Sequence, residues 1–212
     1  MVDIEKIEKR TVQSFYDDGL PEISLGLTFL LFGGYFFAQA AAPEGSALGP
    51  ALSVLFILVI VSAGFLVSRI LRFLKRRITY PRTGYVAFKK KEPSSKRRAA
   101  TMVVGGIIGA AIAALYGISP SFKTLFPAVN GLLLAVAVLL FAGKVGLVRF
   151  YILSAAAAVI GFAVTAAGVG DIKGIGLYYG LFGAALILSG LVALVAYLRK
   201  SPRADRENAD AV

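Results

Sequence analysis

The sequence predicts an all-α, polytopic membrane protein, and three observations lead there. Six apolar stretches occupy most of the chain, none with a charge in its middle. The composition is 58% hydrophobic with a mean hydropathy of +0.77, well above the roughly 45–50% apolar content of soluble domains. The cations sit on alternate connections: of 23 Lys and Arg residues, all but Lys123 and Lys173 lie in or beside the N-terminal segment, the second and fourth connections and the C-terminal tail.

Residues 1–18 read as a short amphipathic helix. Asp3 can cap it, and Ile4, Ile7, Thr11 and Phe15 fall near one face, with Glu5, Glu8, Lys9 and Asp17 elsewhere on the wheel. A helix lying on a membrane carries a cationic polar face. This one is mixed and slightly acidic, so docking on protein, for instance on the basic loop, is expected instead. Asp17-Asp18-Gly19-Leu20-Pro21 then breaks it, because Gly loosens the chain and Pro suits the first turn of a new helix.

The spans are placed at Glu22–Ala42, Pro50–Phe73, Ala99–Gly117, Leu125–Gly143, Leu147–Gly168 and Gly174–Leu198, within one transmembrane domain over 22–198. At about 1.5 Å per residue a helix of some 20 residues crosses a hydrocarbon core of about 30 Å. Backbone groups find no water there, so helices are expected, and the alternating pattern of barrel strands is missing. Ala38-Gln39-Ala40 imitates a signal-peptidase site. The acids before it and the long apolar run point to an uncleaved first helix. Retention of Lys and Arg on the inner side puts both termini, the basic loop 74–98 and the tail 199–212 in the cytoplasm, and the protein in the cytoplasmic membrane.

Within the loop, Ile78-Thr79-Tyr80 and Tyr85-Val86-Ala87-Phe88 flank the turn-forming Pro81-Arg82-Thr83-Gly84, predicting a small β-hairpin over 78–88. Lys89-Lys90-Lys91 and Lys96-Arg97-Arg98 form a cationic lead into the third span. From Arg69 to Arg98 the single acid is Glu92. Such a loop, held at the surface by its flanking helices, meets anionic lipid at about 1 kcal/mol per contacting cation.

Asp18-Gly19-Leu20-Pro21-Glu22-Ile23, Arg77-Ile78-Thr79-Tyr80-Pro81-Arg82-Thr83-Gly84-Tyr85-Val86 and Tyr197-Leu198-Arg199-Lys200-Ser201-Pro202 resemble an uncharacterised family of small prokaryotic six-helix integral membrane proteins. The resemblance implies a bacterial or archaeal cytoplasmic membrane and brings no activity and no catalytic residue.

Small residues mark where helices touch, since lipid supplies no hydrophobic drive between them and close backbone approach must do so. Gly105, Gly109 and Ala113, with Gly106, Ala110 and Ala114 beside them, make a ridge on the third span. Gly176, Gly180 and Ala184 make one on the sixth, and Ala157, Gly161 and Thr165 on the fifth. These three helices are expected to form the packed centre. Gly26-Leu27 and Leu31-Phe32-Gly33 recur at the same spacing as Gly176-Leu177 and Leu181-Phe182-Gly183, a weak sign of duplication. Transporter repeats would pair the first span with the fourth instead.

The chemistry-bearing residues exclude more than they suggest. Without Cys or His there are no disulfides, no thiol chemistry and none of the commonest general base and metal ligand. No catalytic residue, metal site or cofactor is assigned. Deep polar side chains are neutral, so proton or sodium coupling has no residue to carry it. Thr28, Gln39 and Asn130 are the candidates to line a pore for a small neutral solute, with Asn130 favoured as interhelical glue.

The candidate binding surface for lipid or a partner is Arg76, Arg77, Tyr80, Arg82, Tyr85, Lys89, Lys90, Lys91, Lys96, Arg97 and Arg98. The aromatics interleave with cations as in nucleic-acid surfaces, but the adjacent anionic membrane competes for the same charges. The leading expectation is a non-enzymatic structural or accessory component. It would contact anionic headgroups, an acidic membrane-protein partner or a second copy of itself. Two alternatives remain: a channel or carrier for a small neutral solute, and a membrane-surface lipid-processing enzyme using Asp17, Asp18 and Glu22 with loop arginines.

Overall fold

A computed structural model describes residues 13–43, 47–78 and 95–200. A last turn of helix at Gln13–Tyr16 is followed by six long helices: α1 (Leu20–Ala41), α2 (Leu48–Ile78), α3 (Ser95–Ile118), α4 (Pro120–Val145), α5 (Val148–Ala166) and α6 (Asp171–Lys200). Among the described residues there is no strand. The expected hairpin over 78–88 lies outside them from residue 79 on, and Ile78, its first residue, closes α2 as helix. Residues 1–12, the bulk of the expected N-terminal helix, also lie outside.

Among the described residues four helices, α1, α4, α5 and α6, are long and apolar enough to cross a membrane. The sequence suggested six. In α2 and α3 the apolar stretches among the described residues are shorter, Leu48–Leu58 and Gly105–Ile118.

The helix breaks are chemically explicit. Gly19 takes a left-handed φ of 66°, and Pro21 sits in the first turn of α1. Ser119 caps α4, its hydroxyl oxygen accepting from Phe122 N–H at 3.3 Å, with Pro120 next in line. That Ser-Pro start carries α4 back beyond the expected Leu125. Gly146, φ 76°, ends α4 and donates its N–H to Ala142 O at 2.6 Å, so α4 and α5 form an antiparallel hairpin with almost no loop.

The dominant contact joins the first helix to the last. Every seventh residue at Gly19, Gly26 and Gly33 meets Gly190, Gly183 and Gly176 in antiparallel order. A methyl group on Gly26 would stand 2.7 Å from Gly183 O, and one on Gly183 would stand 2.8 Å from Gly26 O. The backbones therefore touch, the close approach that small residues allow between apolar helices, and the strict seven-residue interval keeps the seam facing its partner along its length. The recurrence of Gly26–Gly33 as Gly176–Gly183 is thus a contact between two complementary ridges. It needs no duplication to account for it.

A second seam closes the α4–α5 hairpin. A methyl on Gly131 would meet Ala157 O at 2.8 Å, and one on Gly161 would meet Pro127 O at 2.7 Å. Ser154 donates its hydroxyl to Ala135 O at 2.7 Å. Thr165 Oγ1 accepts from Ala128 N–H at 3.0 Å, beside the helix-interior Pro127, which is how a side chain re-satisfies backbone disturbed by proline in lipid.

Between the two seams lies the core of Ala135, Phe150, Leu153, Ala157, Tyr178, Phe182 and Leu186. The expected ridge of α5 is therefore in the centre; α6 is there too, but through Gly176, Gly183 and Gly190 rather than the expected Gly176, Gly180 and Ala184, since a methyl on Gly180 would have nothing described within 4 Å and Ala184 is exposed. That of α3 is not: methyl groups on Gly105, Gly106 or Gly109 would have nothing described within 4 Å. The sequence placed α3 where α1 belongs, because it counted ridges without asking which two were in matching register. α2 flanks α1 through aromatic rings, with Phe56 stacked on Tyr35 at 4.0 Å between centroids and edge-on to Phe32 and Phe36.

Candidate functional site

The basic end of the bundle carries the densest chemistry, and its origin is a reversal in electrostatic polarity along ten residues. The turn Gln13–Tyr16 ends in carbonyls that carry the partial negative charge of a helix C-terminus. Gly19 turns the chain, and α1 begins with acids that suit a helix N-terminus. Asp18 Oδ1 accepts from Leu20 N–H at 3.2 Å, and Glu22 lies in the first turn. Two sets of negative groups are thereby stacked, and both need cations from elsewhere.

Lys75 and Arg149 supply them. Lys75 Nζ lies 3.0 Å from Asp18 Oδ2, donates to Phe15 O at 2.5 Å and sits 3.5 Å from the Phe15 ring centroid. Arg149 Nε lies 2.7 Å from Glu22 Oε1, and its NH2 group donates to Tyr16 O. Each cation therefore binds one carboxylate of α1 and one terminal carbonyl of the turn before it. Side-chain exposure is 4% for Lys75, 0% for Asp18 and 2% for Glu22 but 22% for Arg149, so the first pair is interior and the second is a buried carboxylate held by a partly exposed guanidinium.

The rest of the turn is fastened as firmly. Tyr16 packs edge-on against Phe141 and Phe150, and Gln13 Nε2 donates to Gly146 O at 3.4 Å. Burial pushes the Tyr16 phenol above its ordinary value, and the Glu22 carboxylate pushes it the same way. Burial also raises Asp17, against the pull of Arg149, with Asp18 reinforcing the rise and Lys200 opposing it.

Of the sequence-predicted surface, Arg76 and Arg77 are exposed on the last turn of α2, Arg77 over the Phe73 ring at 4.9 Å. Lys96, Arg97 and Arg98 stand in the first turn of α3. Tyr80, Arg82, Tyr85, Lys89, Lys90 and Lys91 lie outside the described residues. Sequence reasoning missed Lys75 and Arg149, counting both as topology charges. The available signal was the pair of acids flanking a helix start, Asp18 just before Gly19 and Glu22 in the first turn, which had to find cations in other helices.

No family model, curated protein or solved structure matches this chain.

The pore candidates are scattered by the fold. Thr28 donates to Ser24 O, one turn back in its own helix, at 3.1 Å. Asn130 Nδ2 donates to Tyr179 OH at 2.9 Å, tying α4 to α6, and Tyr179 is stacked on Phe36 and tilted against Phe29. Gln39 stands near the far end of α1, with Oε1 buried and without a hydrogen-bond partner among the described residues. Replacing Tyr179 by Phe leaves Asn130 without that acceptor. It should cost about 0.5–1.5 kcal/mol, read as a lower melting temperature in detergent; Tyr35→Phe is the control.

The carboxylates of the enzyme alternative are likewise engaged: Asp18 and Glu22 hold separate cations on separate helices. Among the described residues no group of three or more His, Cys, Asp or Glu side chains gathers to hold a metal.

Proposed function

We propose that the chain is a six-helix integral protein of the cytoplasmic membrane, with its termini and loop 74–98 inside the cell. In this reading it is a structural or accessory component whose basic face engages anionic headgroups or an acidic segment of a partner. What supports this is the division of labour among the cations. Lys75 and Arg149 are consumed by internal pairs, while Arg69, Arg72, Arg76, Arg77, Lys144, Arg199 and Lys200 remain exposed.

Exposed cations crowded at one end of an apolar bundle repel one another, which makes an anionic surface their natural counterpart. Two more spans are compatible with the lengths of α2 and α3. Their 31 and 24 residues reach about 46 and 36 Å at 1.5 Å per residue, and long basic side chains near the ends can extend to the headgroups.

Neutralising Arg76, Arg77 and Arg82 together as Gln should strip most co-purifying anionic lipid or partner, measured by mass spectrometry of the purified protein. Unchanged recovery would remove the proposal. Because the chain has no Cys, Arg82→Cys also reports topology. Impermeant maleimide should label it in broken cells and leave it untouched in intact ones.

A further inference from the structure

The turn Gln13–Tyr16 is the described end of the amphipathic segment expected over 1–18, and one side of it is already engaged. Phe15 belongs to the apolar stripe Ile4, Ile7, Thr11 and Phe15. Its ring centroid lies 3.5 Å from Lys75 Nζ, and its carbonyl accepts from the same ammonium. Where the structure describes this stripe, it therefore meets α2. Arg72 and Arg76 are the exposed cations nearest Lys75 around that helix, and Arg77 lies on the opposite side.

We propose that residues 1–12 continue this turn as a helix laid on the inner half of α2, with Glu8 and Glu5 paired to Arg72 and Arg76. The proposal rests on the reading that the exposed cations of α2 engage anionic headgroups, and it adds their regulation, because segment and headgroup compete for the same side chains. Continuity favours this occupant: in helical register Thr11, Glu8 and Ile4 follow Phe15 along the side that touches α2. Charge favours it as well. Within 1–12, Glu8 and Glu5 are the charged residues closest to Phe15 around the wheel, while Lys6, Lys9 and Arg10 lie more than a right angle away. Glu8 stands two turns before Phe15, about 10 Å at 1.5 Å per residue, and Arg72 and Arg76 lie within one turn of Lys75. An acidic partner protein would have to displace a segment already tethered beside its target, where effective concentration favours the tethered group.

The test is hydrogen exchange on the full chain in detergent, read over residues 1–12. Amides there should exchange at least roughly tenfold more slowly than in the free peptide. Glu5→Gln with Glu8→Gln should remove that protection. Arg72→Gln with Arg76→Gln should remove it too, although the change is on another helix. Arg77→Gln and Lys6→Gln should leave it in place. Phosphatidylglycerol carried through purification, measured by mass spectrometry, should rise in the Glu5, Glu8 variant because its competitor is weakened.

Free-peptide rates in the parent would overturn the proposal, and so would protection indifferent to Arg72 and Arg76, since the segment would then dock elsewhere. Protection that fades on dilution would assign the contact to a second copy and overturn the intramolecular one. The two readings separate cleanly. If exchange behaves as expected while no variant alters phosphatidylglycerol recovery, the docking stands and the headgroup reading fails. If residues 1–12 are unprotected while the arginine pair loses lipid, the docking fails and the headgroup reading stands. A melting temperature within a few degrees of the parent verifies that each variant is folded.

Discussion

Replacing Lys75 by Met should destabilise the protein by about 3–5 kcal/mol, and Asp18→Leu by a similar amount, while the double replacement should cost less than either alone. The cause is what each single change leaves behind. Without Lys75, the Asp18 carboxylate and the Phe15 carbonyl stay buried with their cation gone. An uncompensated interior charge is far more costly than the pair it came from is favourable. Removing both charged groups removes the conflict, and a well-packed apolar pair can match or exceed the original. Arg149→Met and Glu22→Leu should follow the same pattern through the second pair. Thermal unfolding in detergent of the two singles and the double gives the coupling energy directly. Additive losses would mean that the ions are solvated and the pair is a surface contact.

Gly26→Ala and Gly183→Ala should each cost about 1–3 kcal/mol or more, although alanine is the better helix former by roughly 1 kcal/mol. The added methyl meets a carbonyl oxygen of the facing helix at 2.7 or 2.8 Å, and backbone cannot rotate aside as a side chain would. Gly109→Ala provides the opposite expectation. Its methyl enters open space, so only the propensity gain remains and stability should hold or rise. Melting temperatures of the three variants should separate cleanly, and a Gly26→Ala protein as stable as its parent would show that the seam is looser than described.

Hydropathy made α1, α4, α5 and α6 legible, because a bilayer-length apolar run with no central charge has few other uses. Chain breaks were legible where their chemistry is local, as at Gly19 and Pro21. Which ridges pair was not. Gly105 and Gly109 look as sticky in sequence as Gly26 and Gly183, and the difference lies in a partner row of glycines on another helix, at matching register far along the chain. The basic end was legible as a sum of charges but not as a circuit. Lys75 and Arg76 are neighbours in sequence, yet one is buried in a pair and the other faces outward. A helical rotation of 100° separates those fates, and only the position of α1 decides which residue turns inward.

The Gly19–Gly190 crossing also sets the order in which the molecule can be made. Ribosomes release α1 first and α6 last of these helices, so the glycine face of α1 enters the membrane with its complement still untranslated. Until then it must be shielded by lipid or by an insertion factor, and the intermediate helices can organise only as the α4–α5 hairpin and its neighbours. Closure of the bundle is accordingly a post-insertion event. A nascent chain arrested before α6 should remain open to proteases that the finished fold resists.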